Sequence, residues 1–203
     1  MEYTIIEPSE GIYKEKGSKF LAFALPVSDV EQVNEILGRL KKEHHAAKHQ
    51  CYAYHIGNDP GLVRANDDGE PTSTAGKPIL GQITSFGLTN ILIVVVRYFG
   101  GTLLGKGGLI RAYKTASADA LNHARIVQVI SKEIYQVTSD YKNISEILKI
   151  IGEFDSEIIS SDYGENAVLK IKTLTSRSKE IVQKFKRVDG VRIEPLGKAE
   201  KNA

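Results

Sequence analysis

A glycine-rich, basic segment holds the residues of this sequence that are best suited to chemistry. Residues 97–116 are RYFGGTLLGKGGLIRAYKTA, with five glycines, four cations and no acid. The segment follows the apolar run ILIVVV and precedes a pattern typical of a helix over residues 109–123. Open glycine amides and the partial positive charge of a helix start both favour an anion. The segment predicts a phosphate-sized anion site; the plainer alternative is a set of tight turns in which Arg97 pairs with an acid.

The residues expected to contact phosphate are the cations and glycines of this segment. They are Arg97, Gly100, Gly101, Gly105, Lys106, Gly107, Gly108, Arg111 and Lys114. Tyr98 or Tyr113 can stack on a base, with a core position as the alternative for either ring. Positions 100–106 fit the pattern G-x-x-x-x-G-K, but Gly107 stands where a P-loop needs a Ser or Thr for Mg²⁺. The pattern therefore does not predict a P-loop nucleotidase.

An acidic loop lies upstream, in the stretch RANDDGEPTSTAGKP. Asp67, Asp68 and Glu70 are close enough in sequence to offer oxygen ligands to Mg²⁺. The same residues also make a good turn, with Gly69 supplying a positive φ. A third interpretation pairs Asp67 or Glu70 with the basic segment. We expect no cofactor, with Mg²⁺ at these carboxylates as the alternative.

A strand-like segment, HQCYAYHIG, combines histidines with the single cysteine. On a strand, His49, Cys51 and His55 share one face, an arrangement that zinc or a Cys–His nucleophile can use. Their spacing fits no standard structural zinc site. A buried cysteine that acts as a small apolar side chain is the favoured interpretation.

The composition is that of a soluble globular chain. Its 203 residues carry 27 basic and 25 acidic side chains, a net charge of +2, so a nucleic-acid role depends on local charge placement. One cysteine excludes an intramolecular disulfide, which fits a reducing cytoplasm. No apolar run approaches the roughly 20 residues of a membrane span, and the first residues lack the basic region of a signal peptide. We expect a cytoplasmic protein without a membrane partner.

Two domains are predicted, over residues 1–130 and 131–203. In the first, we expect a hairpin turning at Gly17–Ser18, a helix capped by Ser28 with Glu31, a polar loop over residues 58–77, a short helix with Pro78 in its first turn, and ILIVVV as a central strand. In the second, Asp140 is expected to cap a helix that buries one apolar stripe. The members of that stripe are Tyr141, Ile144, Ile147, Leu148 and Ile151. The order strand-helix-strand-strand-helix-strand predicts a ferredoxin-like βαββαβ domain.

The segments DDGEPTSTAGKPIL and ILIVVVRYFGGTLLGKGGLIRAY resemble the signature region of the Impact/YigZ family. GSKFLAFALPV and HQCYAYHIG are similar to the opening segments of that family, so the resemblance covers nearly the whole chain. It implies an α+β protein. Its first domain would be like the second domain of a ribosomal small-subunit protein, a fold shared with GHMP kinases, and its second like the last domain of elongation factor G.

The resemblance also implies a link to translation and names no catalytic residue. Animal and yeast relatives, which carry an additional N-terminal domain, modulate translation under amino-acid starvation by competing for an activator of an initiation-factor kinase. We expect a non-enzymatic regulator, a monomer or weak dimer, that binds RNA or a ribosome-associated factor through the basic segment. The alternatives are a module that binds an acidic protein surface, including a protein partner in translation control, and an enzyme that binds a phosphorylated or nucleotide ligand with Mg²⁺.

Overall fold

The computed structural model describes residues 3–57 and 62–199. The chain divides into two compact units, Met1–Val129 and Ile130–Ala203. Residues 58–61, the start of the predicted polar loop, lie outside the described part. Within that part, no helix is both long and apolar enough to cross a bilayer.

The first unit is a mixed α/β structure around a five-stranded antiparallel sheet. Its elements, in chain order, are β1 (Tyr3–Ile5), β2 (Ser9–Glu15), β3 (Ser18–Pro26), α1 (Val30–Glu43), β4 (His49–His55), β5 (Val63–Asn66), α2 (Gly76–Ser85), β6 (Ile91–Tyr98), α3 (Gly105–His123) and β7 (Ile126–Gln128). The sheet order is β2-β3-β6-β4-β5, and β1 pairs with β7 in a separate antiparallel ribbon.

Strand β6 is the centre of this sheet, as the ILIVVV run predicted. Ile91, Ile93 and Val95 belong to the core under α2 and α3. The alternate residues Leu92 and Val94 pack with α1 on the other face. Burial on both faces explains why the strand is apolar at every position rather than at every second one.

Three predicted boundaries in the first unit were displaced. Glu15 pairs with Ser18, so the hairpin turns at Lys16–Gly17, whose φ values of 47° and 78° suit a two-residue turn of type I′. The residue that caps α1 is Asp29, whose carboxylate accepts the Gln32 N–H at 2.8 Å, rather than Ser28. Helix α3 begins at Gly105, four residues before the predicted start. Of the stretch 99–108 that precedes the predicted helix, only residues 99–104 form a loop, which we call the glycine loop.

The second unit is a four-stranded antiparallel sheet with two helices. Its elements are β8 (Lys132–Ser139), α4 (Ile144–Glu153), β9 (Glu157–Tyr163), β10 (Ala167–Leu174), α5 (Ser178–Lys186) and β11 (Val191–Lys198). The sheet order is β11-β8-β10-β9. The order of elements along the chain agrees with the sequence pattern.

The stripe predicted for the first helix of this unit was partly wrong. Asp140 precedes a short 3-10 turn, and its side chain makes no cap hydrogen bond. Tyr141 and Leu148 are 49% and 44% exposed, whereas Ile150 is buried. Helix α4 begins only at Ile144, and its buried residues are Ile147, Ile150 and Ile151 rather than the predicted stripe.

Candidate functional site

The sheet of the first unit brings four loops to one end, which we call the loop end. It consists of the Lys16–Gly17 turn and residues 44–48, 67–75 and 99–104. Strand β6 finishes there, with Tyr98 opposite Lys19 of β3 and Arg97 opposite His49 of β4. Both parts of the predicted site, the acidic loop and the basic segment, therefore meet at the loop end.

Arg97 lies inside the protein. Its Nη1 is 2.6 Å from Oε1 of Glu70, and the two side chains are only 7% and 3% exposed. The Tyr113 hydroxyl donates to the same carboxylate oxygen at 2.8 Å. Phe20 and Phe99 each have a ring centre 5.5 Å from the guanidinium carbon. Arg97 thus follows the alternative in which it pairs with an acid of the polar loop, and Tyr113 has a core position.

Cys51 belongs to the same buried cluster. Its thiol lies 3.3 Å from the Tyr113 hydroxyl and 3.0 Å from the Asp67 carbonyl oxygen. Burial raises the pKa of the Cys51 thiol to about 12, and burial likewise raises the pKa of Tyr113. Both groups stay protonated at neutral pH, so Cys51 is the small buried side chain that its strand context favoured.

Arg111 is exposed but also has an acid partner. Its guanidinium Nη2 donates to Oε1 of Glu15 at the end of β2. This hydrogen bond from Arg111 lowers the pKa of the Glu15 carboxyl. Two of the four predicted phosphate ligands, Arg97 and Arg111, are therefore engaged within the protein. Lys106 and Lys114 are exposed, and neither has a carboxylate within 4 Å among the described residues.

The glycines of the basic segment have different local roles. Gly100 packs on the hairpin turn: a Cβ there would lie 1.9 Å from the Gly17 carbonyl carbon. Gly101 and Gly105 have φ values of 87° and 68°, which glycine adopts without strain. Gly107 and Gly108 are in the first turn of α3. Gly100 is thus a packing residue, although it is exposed, as are Gly101, Gly105 and Gly107.

The N-termini of α2 and α3 differ in their capping. Neither Leu104 at the start of α3 nor Ala75 at the start of α2 makes a side-chain cap. For α2 the missing cap is replaced by Asp67, which accepts the N–H groups of Ala75 and Gly76 at 2.9 and 2.8 Å. The first turn of α3 holds no acid and contains Lys106. Among the described residues, the start of α3 therefore has no carboxylate cap of the kind that Asp67 gives to α2.

The environment of Asp67 stabilises its ionised form. Burial opposes ionisation, but backbone N–H donors, among them Ser73 at 2.8 Å, outweigh it and lower the pKa of the Asp67 carboxyl. We expect Asp67→Ala to lower the free energy of unfolding at neutral pH by about 0.5–2 kcal/mol, the usual range for loss of a cap.

This Asp67 contribution carries a pH signature. Because the folded-state pKa lies below the ordinary value of 3.8, the stabilisation is complete above that pH and is lost as the pH falls below it. Urea unfolding of both proteins from about pH 7 to about pH 2.5 measures the difference. A difference that stayed constant over the whole series would contradict this role for Asp67.

The other acids and the histidines of the predicted metal sites have separate partners. Asp68 accepts the Gln50 backbone N–H at 2.7 Å. Nδ1 of His49 lies 2.8 Å from the Asp68 carbonyl oxygen, and Nδ1 of His55 lies 2.9 Å from that of Leu88. Across residues 3–57 and 62–199, no three His, Cys, Asp or Glu side chains converge on a point that could hold a metal ion.

Three lysines of the β2–β3 hairpin lie in or next to the loop end, and the sequence did not predict them as site residues. Lys14 lies directly opposite Lys19 on the neighbouring strand, and Lys16 is in the turn between them. All three are exposed, and in the described chain none has a carboxylate within 4 Å. The sequence feature that could have indicated them is the string KEKGSK, which holds three lysines and a single acid in and beside the turn.

The fold and the loop end define a class of protein, a mixed α/β chain of two compact units whose first unit carries a basic end. Residues 16–121 match the Impact N-terminal domain. The chain belongs to the Impact family, as the signature segments predicted. The matched residues run from the hairpin turn to α3 and so include all four loops of the loop end.

Relatives in two bacteria align with most of the chain. IMPACT family member YvyE of Bacillus subtilis is 36% identical over 164 residues, which are 81% of this chain and 76% of that protein. IMPACT family member YigZ of Escherichia coli is 33% identical and covers 84% of each chain. A crystal structure described as that of a hypothetical protein has 30% identity and a TM-score of 0.64, and covers 99% of this chain and 100% of the other.

Proposed function

We propose that this chain is a cytoplasmic, non-enzymatic regulator linked to translation, which binds RNA phosphates at the loop end. The link to translation comes from the family. The same proposal assigns the first unit, predicted as residues 1–130, to the fold of the ribosomal-protein second domain. It assigns the second, predicted as residues 131–203, to the ferredoxin-like fold, which its strand order supports.

One observation carries the proposal of RNA binding. Three carboxylates at the loop end have partners within the protein: Glu70 has Arg97, Glu15 has Arg111, and Asp67 has the amides of α2. The fourth, Asp68, accepts the Gln50 backbone N–H. The lysines around them are exposed, and none has a carboxylate within 4 Å among residues 3–57 and 62–199. The loop end therefore presents uncompensated positive charge, which attracts a phosphate backbone.

The lysines that would contact phosphate lie on adjoining elements. The glycine loop packs on the hairpin turn, where Gly100 donates its N–H to the Ser18 hydroxyl at 3.1 Å. Arg111 joins α3 to the end of β2 through Glu15. These contacts place the hairpin lysines beside the start of α3, where Lys106 and the open amides supply further donors.

Binding to single-stranded RNA over a salt series tests the proposal. For Lys16→Ala/Lys106→Ala, we expect weaker binding at low salt. The slope of log K against log salt should be shallower by about 1.4, at about 0.7 for each lost phosphate contact. Filter binding from about 50 to about 200 mM salt measures both quantities.

A matched control is Arg64→Ala/Arg125→Ala. It removes the same charge from exposed positions, one opposite Tyr54 on the sheet and one just after α3, both away from the loop end. It should keep the wild-type slope within error. RNA binding that ignored salt, or that was equal in the two double variants, would contradict the proposal.

A protein partner is the second candidate, and exposed apolar side chains at the glycine loop favour it. Phe99, Leu103 and Ile110 are 47%, 83% and 41% exposed. Exposed apolar residues with a polar rim are typical of protein interfaces. Capture of a partner that survives nuclease treatment and is lost in Leu103→Ser would support this candidate over RNA.

A further inference from the structure

A cleft of about 420 Å³ lies between α1 and β4 of the first unit. We call it the α1–β4 cleft. Its lining residues come from α1, from the loop that follows it, from β4 and from the loop after β5; they are Leu37, Lys41, His45, Ala47, Lys48, Gln50, Tyr52 and Asp68. The volume is at the lower end of the range for small-molecule sites, which suits one small ligand.

The rim of the α1–β4 cleft is basic. Lys41, His45 and Lys48 are exposed, and neither lysine has a carboxylate within 4 Å in the described chain. The one acid of the lining, Asp68, already accepts the Gln50 backbone N–H at 2.7 Å. The cleft therefore favours a ligand with at least one negative charge.

The lining of the cleft includes a tyrosine ring. Tyr52 is half-buried and is supported on one side by Tyr54, whose ring is nearly parallel at 6° with a centroid distance of 6.5 Å. Tyr54 is only 6% exposed. A ring held in this way can stack with a flat group at little cost in side-chain order.

Hydrogen-bonding groups lie beside this ring. Gln50 precedes Tyr52 by two residues on β4, so both side chains are on the same face of the strand. The Gln50 side-chain amide donates to the His44 carbonyl oxygen over a long distance of 3.4 Å, so this hydrogen bond is weak. The exposed carboxylate of Asp68 can accept from an amino group of a base.

We infer that the α1–β4 cleft binds a single nucleotide, with its base on Tyr52 and its phosphate near Lys41 and Lys48. An aromatic surface, amide and carboxylate groups, and lysines at the rim match the base and the phosphate of that ligand class. The inference rests on the proposed RNA binding and gives it an unpaired nucleotide as its target. A free nucleotide has the same chemistry.

Calorimetric titration of the full chain with AMP, adenosine, inorganic phosphate and a six-nucleotide oligoadenylate tests the inference. We expect AMP to bind at least about tenfold more tightly than adenosine or phosphate, because only AMP uses both parts of the cleft. Tyr52→Leu should weaken AMP by about 5- to 140-fold, the range for loss of one stacked base. Tyr52→Phe, which keeps the ring, should bind as wild type.

Lys48→Ala gives a second measurement at an exposed residue, where folding is not at risk. It should weaken AMP but leave adenosine unchanged. Tighter binding of the oligoadenylate than of AMP, with both lost in Tyr52→Leu, would identify an RNA strand as the source of the nucleotide. The reverse order would identify a free nucleotide. No binding of AMP, or equal binding by wild type and a folded Tyr52→Leu protein, would overturn the inference.

Failure of this inference is distinguishable from failure of RNA binding at the loop end. Oligoadenylate binding that survives Tyr52→Leu and Lys48→Ala but falls in Lys16→Ala/Lys106→Ala would contradict the cleft alone. AMP binding that depends on Tyr52, together with oligoadenylate binding that ignores salt, would support the cleft and contradict RNA binding at the loop end.

Discussion

Arg97→Met is expected to lower the free energy of unfolding by about 3–5 kcal/mol, the range for breaking a buried ion pair. The cause is the partner left behind. The Glu70 side chain is only 3% exposed, and without Arg97 its carboxylate is left unpaired in the core. Urea unfolding followed by circular dichroism at neutral pH measures the loss.

A double variant separates the ion pair from the packing of its side chains. Glu70→Gln/Arg97→Met removes both charges, keeps an acceptor for the Tyr113 hydroxyl, and should recover a large part of the stability lost in Arg97→Met. If the double variant were less stable than the single one, packing rather than the unpaired carboxylate would be the main contribution of Arg97.

Gly100→Ala is expected to destabilise the first unit by about 1–3 kcal/mol, the usual range for overpacking. The added methyl group would lie 1.9 Å from the Gly17 carbonyl carbon and 2.2 Å from the Ser18 nitrogen, and backbone atoms cannot move aside as a side chain can. The glycine loop and the hairpin turn would have to separate. Thermal and urea unfolding measure the effect.

Gly107→Ala is the matched control within the same segment. Its added Cβ meets no atom within 4 Å, and Gly107 lies in the first turn of α3. Since alanine is the better helix former, we expect Gly107→Ala to stabilise the protein by about 0.5–1 kcal/mol. Equal destabilisation by the two substitutions would contradict the close contact described for Gly100.

Local patterns were sufficient to predict much of the fold. The run ILIVVV indicated a strand buried on both faces, and β6 is central in its sheet. Pro78 indicated the first turn of α2, which begins at Gly76. Helix ends were predicted less well. Glycine has a low helix propensity, so the sequence predicted that α3 begins after Gly108. In the structure the helix begins at Gly105, where Leu104 and Leu109 pack with the core on either side of the added turn.

The candidate site was harder to predict, because charge pairing depends on contacts that are distant in the sequence. Arg97 and Glu70 are 27 residues apart, and Arg111 and Glu15 are 96 apart. The acid-free composition of residues 97–116 therefore gave no information on which cations were neutralised from elsewhere. Lys14 and Lys19 become neighbours only through the strand register.

Because Lys14 and Lys19 face each other across β2 and β3, the stability of the hairpin depends on whether an anion is bound near them. Like charges directly opposite one another oppose strand pairing, so the hairpin tip is held together against its own repulsion. A polyanion that bound to these two lysines would reduce the repulsion between them. Because it would bind the folded chain and not the unfolded one, it would stabilise the folded chain. If the proposed binding holds, the melting temperature of the protein rises with the concentration of the polyanion.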